Sequence, residues 1–206
     1  MSKNLSKKYW DDQAIEEDWF SKVMNRGWAT IPGHQQKMHD QQAAAIEDLN
    51  IIPGKSVLDI GCGVGRLSKE LLRMGATSLH GMDISTEMLD FAREECKDFS
   101  NVTWEPCDLT QGIPHEDDSF DVAFEWSVLL HILEDEDFES ILGEMARVAS
   151  KYVILGMDGP DTVQETAYYK RRSRKYHIQT LAKHGYHCVG MRNVTGNLVL
   201  TLFERA

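Results

Sequence analysis

At 206 residues, with 42% apolar and 27% charged side chains, the chain is long enough for one α/β domain with a full core. Its formal charge of −11 excludes a broad electrostatic grip on nucleic acid or an anionic membrane, and leaves a small molecule as the simpler partner. No apolar run reaches the roughly 20 residues of a membrane span. The lysines of residues 1–13 have no apolar segment behind them, so they read as no signal peptide. Cys62, Cys96, Cys107 and Cys188 form no CxxC pair, which points to a reducing, cytoplasmic compartment.

In chain order, residues 5–24 read as a helix rich in Trp, Tyr and Phe, and residues 34–49 as a second helix ended by Pro53-Gly54. Then strands and helices alternate. Residues 55–60 (KSVLDI) form a short apolar strand, residues 61–65 a glycine loop, and residues 66–74 a helix stopped by Gly75. Residues 78–83 are the second strand, and residues 85–97 a helix that Ser85 can cap. Strands at 102–107, 120–126 and 152–157 follow, with a helix over 138–149. After a helix at 173–184, two β-rich runs, 186–194 and 197–203, are separated by Thr195-Gly196, a hairpin signal. This pattern predicts a parallel sheet with right-handed crossovers, closed by an antiparallel pair. The expected layout is one domain over 1–206, with a helical lid at 1–50 and a core at 51–206.

The chemistry concentrates at the strand ends. In VLDIGCGVG, residues 57–65, a strand runs into Gly61-x-Gly63-x-Gly65 at a helix start, where bare backbone can approach a ligand. The dinucleotide pattern GxGxxG is not met, because Arg66 stands where its third glycine would be. Asp59, two residues before the first glycine, would repel a pyrophosphate and attract a cation. S-adenosylmethionine (SAM), with its ammonium and sulfonium, suits that charge. Asp83 ends the second strand, 20 residues after Gly63, where a carboxylate can accept from both ribose hydroxyls of a nucleoside; capping its own helix is the plainer alternative. After the third strand, Asp108 can accept from an adenine amino group with Leu109 against the ring, or can be an ordinary exposed turn residue.

VLDIGCGVGRLS, GMDIS, the Asp108-Leu109 pair and FDVAFEWSVLLHI, in this order, resemble the motifs of class I (Rossmann-like) SAM-dependent methyltransferases of the small-molecule type, over roughly residues 50–204. The resemblance implies a doubly wound, seven-stranded sheet of order 3-2-1-4-5-7-6 with the last strand antiparallel. It implies SAM at the carboxyl ends of strands one to four, against Asp59, Gly61, Cys62, Gly63, Gly65, Arg66, Asp83, Ile84, Asp108, Leu109, Glu125 and Trp126. Tyr9-Trp10-Asp11 looks like the lid segment that precedes such folds, with Trp10 touching the cofactor and Tyr9 and Trp19 facing the acceptor; ordinary helix packing remains open for each aromatic.

Strand four delivers the reactive edge. Amino-methylating enzymes that act on nucleic-acid bases carry Asn/Asp-Pro-Pro-Tyr/Phe here in similar folds. Glu125-Trp126-Ser127-Val128 departs from that pattern and argues against a base substrate. Val128-Leu129-Leu130-His131 resembles a family segment whose histidine faces the substrate, so His131 is a candidate general base, or else a hydrogen-bonded packing residue. Glu125 is a second catalytic candidate, able to anchor a cation, or else a solvated edge residue or a partner for a neighbouring base. Arg172, within the basic run Lys170, Arg171, Arg172, Arg174 and Lys175, can clamp an acceptor carboxylate or phosphate; the run also reads as a solvated helix start. Glu134-Asp135-Glu136-Asp137 reads as a charged helix N-terminus. The spacings of His34 with His39 and of His184 with His187 match no zinc pattern, so no metal is expected.

The expected reaction is methyl transfer from SAM to an oxygen or nitrogen nucleophile of a small molecule. The alternatives are a non-catalytic SAM-binding protein, methylation of a protein side chain, and a nicotinamide-dependent oxidoreductase, which Asp59 and the glycine spacing disfavour. Neither the acceptor nor the oligomeric state is legible.

Overall fold

The structure, a computed structural model, describes residues 7–15, 33–158, 164–195 and 198–206. Among the described residues, α1 (Lys7–Ile15) and α2 (His34–Glu47) precede β1 (Ser56–Ile60), α3 (Arg66–Arg73), β2 (Ser78–Asp83), α4 (Thr86–Glu95), β3 (Val102–Pro106) and β4 (Phe120–Trp126). Then come α5 (Asp135–Val148), β5 (Ala149–Asp158), the two-residue strands β6 (Gln164–Glu165) and β7 (Lys170–Arg171), α6 (Arg174–Ala182), β8 (Tyr186–Thr195) and β9 (Leu198–Arg205). The main sheet runs β3-β2-β1-β4-β5-β9-β8. Its seven strands therefore have the expected order, since β8 and β9 are the sixth and seventh of this sheet. β9 is the antiparallel member, pairing β5 on one side and β8 on the other.

The position of each strand explains its sequence. β1 lies between β2 and β4, and Val57, Leu58, Asp59 and Ile60 are all buried because helices cover both faces. β8 is an edge strand, and exposed and half-buried residues alternate along it; β9, one place inward, is buried from Val199 to Phe203. On one face Val57, Leu79, Phe124 and Ile154 pack with Ile46 of α2 and Leu71 of α3. On the other, Leu58, Met82, Val153 and Phe203 pack with Phe138, Ile141 and Met145 of α5 and Leu181 of α6. Each such side chain, fully buried, contributes about 1.5–3 kcal/mol.

Several boundaries differ from expectation. α5 begins at Asp135, ahead of the expected 138, because Asp135, Glu136 and Asp137 form its first turn and favour the positive end of the helix dipole. Ala149 both ends α5 and opens β5, so that strand starts three residues early. Lys170 and Arg171 pair with Glu165 and Gln164 in a small ladder that local sequence did not announce. Among the described residues, no helix is long and apolar enough to cross a membrane.

Candidate functional site

The loop after β1 has two glycines with opposite surroundings. At Gly61 (φ 64°) a Cβ would lie 2.2 Å from a methyl of Val128, so only bare backbone fits. At Gly63 (φ 54°) a Cβ would meet no described atom within 4 Å, so the backbone faces open space. The Gly63 amide donates to Asp83 Oδ2 at 2.8 Å, and the Ser85 amide to Asp83 Oδ1 at 2.9 Å. The Cys62 amide donates to the Met82 carbonyl, and the Cys107 amide to the Asp83 carbonyl, both at 2.9 Å. Asp83 thus stands where three strand ends meet, its carboxylate oriented by backbone and each oxygen retaining a further acceptor position. Burial lifts its pKa, against the pull of those amides.

Asp59 is buried and accepts the hydroxyl of Ser68 in α3. Burial pushes its carboxyl up to about 7, with Asp83 adding to the rise and Ser68 and Arg66 opposing it. A cation nearby would favour its ionised form. Arg66 has turned towards α2: its Nη1 donates to His39 Nδ1 at 2.7 Å, and His39 Nε2 lies 3.3 Å from Glu70. Cys62 Sγ lies under Gly81, half-buried, and Ile84 follows Asp83 half-buried. Asp108 is exposed, and its Oδ1 caps the single turn Leu109–Gln111 by accepting from the amide and hydroxyl of Thr110. Leu109 packs on the core.

At the end of β4, Glu125 is 2% exposed, and its carboxylate accepts from the amides of Val128, Leu129 and Gly156 at 3.0, 3.4 and 3.1 Å. It clamps the following turn, which includes Ser127 at φ 63°, to β5. Burial excludes the solvated edge residue of the sequence reading, and the partners here are backbone amides rather than a neighbouring base. Trp126 is buried on the α2–α3 face, stacked on Phe124 with ring centroids 6.2 Å apart. Its Nε1 has no hydrogen-bond partner among the described residues.

His131 closes the turn. Its Nδ1 lies 2.9 Å from the carbonyl of Tyr168, which can only accept, so the proton sits on Nδ1 and Nε2 keeps its lone pair. Burial lowers its pKa below the ordinary value, against the opposing Tyr168 carbonyl. The Trp10 ring meets the imidazole edge-on at 4.9 Å, and Tyr9 stacks on Tyr168 at 6.5 Å. α1 therefore reaches the β4 turn at one end, while Ala14 packs on Val64 of the glycine loop and on Met88 of α4. Lys7 ties it further to Thr86 and Glu87 at 3.1 and 3.5 Å. Trp19 lies outside the described residues.

One expectation is corrected. Arg172 does not face an acceptor: it is 4% exposed, and its guanidinium donates to Asp135 Oδ1 and to the carbonyls of Ile132, Leu133 and Glu134. It also lies 4.0 Å from the ring centroid of Phe138. The reason is the β6–β7 ladder, which turns this part of the basic run inward. Arg172→Ala will strand buried carbonyls and cost about 3 kcal/mol of stability in urea unfolding, with ligand affinity at the glycine loop unchanged.

Tyr168, Ser68 and Asp11 were missed by sequence reasoning. Asp11 Oδ1 is buried without a hydrogen-bond partner among the described residues, and the Asp11 charge acts on Asp83. Ser68 ends the motif VLDIGCGVGRLS and Asp11 the segment Tyr9-Trp10-Asp11, but neither pattern gives these two a role, and Tyr168 lies in no motif; the fold brings the three here.

The comparisons agree with this geometry. Residues 57–151 match a family model described as "Methyltransferase domain". The chain is 32% identical to a demethylmenaquinone methyltransferase of Tropheryma whipplei (strain Twist) over 141 residues, 68% of this chain and 56% of that protein. It thus spans little more than half the length of that relative. It is 29% identical to the magnesium-protoporphyrin O-methyltransferase of Synechocystis sp. over 174 residues, 78% of this chain and 74% of that one. The crystal structure of magnesium protoporphyrin IX methyltransferase from Synechocystis PCC 6803, with bound SAH, superposes with a TM-score of 0.74 at 21% identity, covering 97% of this chain and 98% of that one, which establishes the shared fold.

Proposed function

We propose that the chain is a class I SAM-dependent methyltransferase, as its matched domain and relatives suggest, and that it transfers the methyl group of SAM to an oxygen or nitrogen nucleophile of a small-molecule acceptor, leaving S-adenosylhomocysteine. The observation that carries this reading is the junction of Asp83 with Gly63: an oriented carboxylate beside bare backbone that faces open space. The residues fit the cofactor. Asp11 and Asp59 make the site acidic, as a cationic nucleoside requires and a pyrophosphate does not.

When bound, SAM supplies an already activated sulfonium methyl. In this reading Asp83 holds the ribose, Asp108 and Leu109 the adenine side, and Asp59 with residues 61–65 the methionine side. Glu125 keeps the β4 turn in place as a positioning residue. His131 presents Nε2 to take the acceptor's proton, while Tyr9, Trp10 and Tyr168 form an aromatic wall beside the acceptor. Alignment of nucleophile and methyl supplies much of the acceleration. In this reading the chain is one domain with α1 part of a lid over the site, and four cysteines outside any disulfide suit a reducing, cytoplasmic setting.

Calorimetric titration of the purified protein tests the reading. SAM and S-adenosylhomocysteine will each saturate one site per chain, and NAD will give no isotherm. Saturable binding of NAD with neither nucleoside bound would overturn it.

A further inference from the structure

Three side chains distant in sequence meet on the sheet face opposite α3. His80 lies in β2, Glu105 in β3, and His115 in the loop leading to β4. Parallel register sets His80 beside Thr103 and Glu105 beside Met82. His80 Nε2 is 3.1 Å from Glu105 Oε2, and His115 Nε2 is 3.4 Å from the same oxygen. Yet His115 Nε2 is buried and makes no hydrogen bond among the described residues. One ligand atom from each residue falls within 4.8 Å of the other two.

The distances suit a small tetrahedral ion. Around a tetrahedral zinc ion with bonds of about 2.0–2.1 Å, neighbouring donor atoms are about 3.3 Å apart. The two measured separations, 3.1 and 3.4 Å, bracket that value. Two imidazole nitrogens converge on one carboxylate oxygen, and the buried one, His115 Nε2, lacks hydrogen-bond geometry to it. A divalent cation satisfies all three groups.

The surroundings suit a held ligand set. His80 Nδ1 lies 2.7 Å from the Thr103 hydroxyl, a partner of the kind that orients a metal-binding imidazole. Arg147 fixes the loop by donating to the carbonyls of His115 and Ile113 at 2.7 and 2.9 Å. Its own charge is matched by Glu144 and Asp117. The Phe120 ring, 5.1 Å from His115, walls one side, while the three side chains retain 17, 22 and 38% exposure for entry.

We propose that His80, Glu105 and His115 bind one zinc-type divalent transition ion, with the fourth position left to water, clipping the β3 edge to the loop before β4. Sequence spacing predicted no metal. The cluster arises from strand register, and it stands independently of the methyl-transfer reading.

The test uses the full chain, stripped with a chelator and titrated with Zn²⁺ against a chromogenic competitor. One equivalent will bind. His115→Ala and Glu105→Gln will each weaken binding by more than about 100-fold, beyond the loss typical of a supporting partner. Both variants will keep the far-ultraviolet circular dichroism and SAM affinity of the parent, which separates lost ligands from lost fold. Co²⁺ in place of Zn²⁺ will give the visible bands of a tetrahedral site without a thiolate charge-transfer band. No stoichiometric binding, unchanged affinity in both folded variants, or a thiolate band would overturn the proposal.

Discussion

His131→Asn will lower kcat by about 10²–10⁴-fold and leave SAM affinity within a few-fold of the parent. The argument is geometric. The Tyr168 carbonyl fixes the proton on Nδ1, so the other nitrogen is a free base, and the imidazole sits in the turn that Glu125 clamps. Burial holds its pKa below the ordinary 6.5. The neutral form is the active one, so kcat will rise with pH through a value below 6.5 and then stay level through neutrality. The variant will lose that acid limb. A fall under roughly tenfold with the limb intact would show that alignment alone carries the reaction and that His131 only packs. SAM affinity serves as the control, because loss of the turn would change both quantities together.

Asp83→Ala will weaken SAM and S-adenosylhomocysteine equally, by about 100-fold each, corresponding to the loss of charge-assisted hydrogen bonds of about 3 kcal/mol in total. Equal loss is the informative part. The ribose is common to both nucleosides, whereas the sulfonium belongs to one, so a contact at the ribose cannot distinguish them. The side chain also accepts from the amides of Gly63 and Ser85. Asp83→Asn separates the two roles, since its amide keeps one acceptor for the loop, and it will fall between the parent and the alanine variant. Calorimetry that finds either alanine-variant affinity unchanged would remove Asp83 from the cofactor site.

What sequence could show here was whatever local pattern encodes. The glycine loop and the acidic end of β2 follow from short motifs in fixed succession, and the strand order from the family those motifs resemble. Glu125 and His131 could be singled out by position, but their partners could not. The Gly156 amide that Glu125 binds lies 31 residues on, and the Tyr168 carbonyl lies 37 residues beyond His131. Arg172 shows the sharper limit. Within a run of basic residues, composition favours solvent, and only the ladder with Gln164 and Glu165 sends this one inward. His80, Glu105 and His115 were invisible for a related reason: parallel pairing joins residues across whole crossovers, so no spacing rule reveals them.

Val128 occupies the volume where Gly61 has no side chain, so the segment carrying His131 rests directly on the chain that leaves Asp59. This contact acts as a mechanical stop. If the proposed roles hold, the interval between methyl donor and proton acceptor is set by a hydrocarbon branch against bare main chain. The walls supplied by Tyr9, Trp10 and Tyr168 come from other segments, so a different guest can be accommodated there while that interval stays constant.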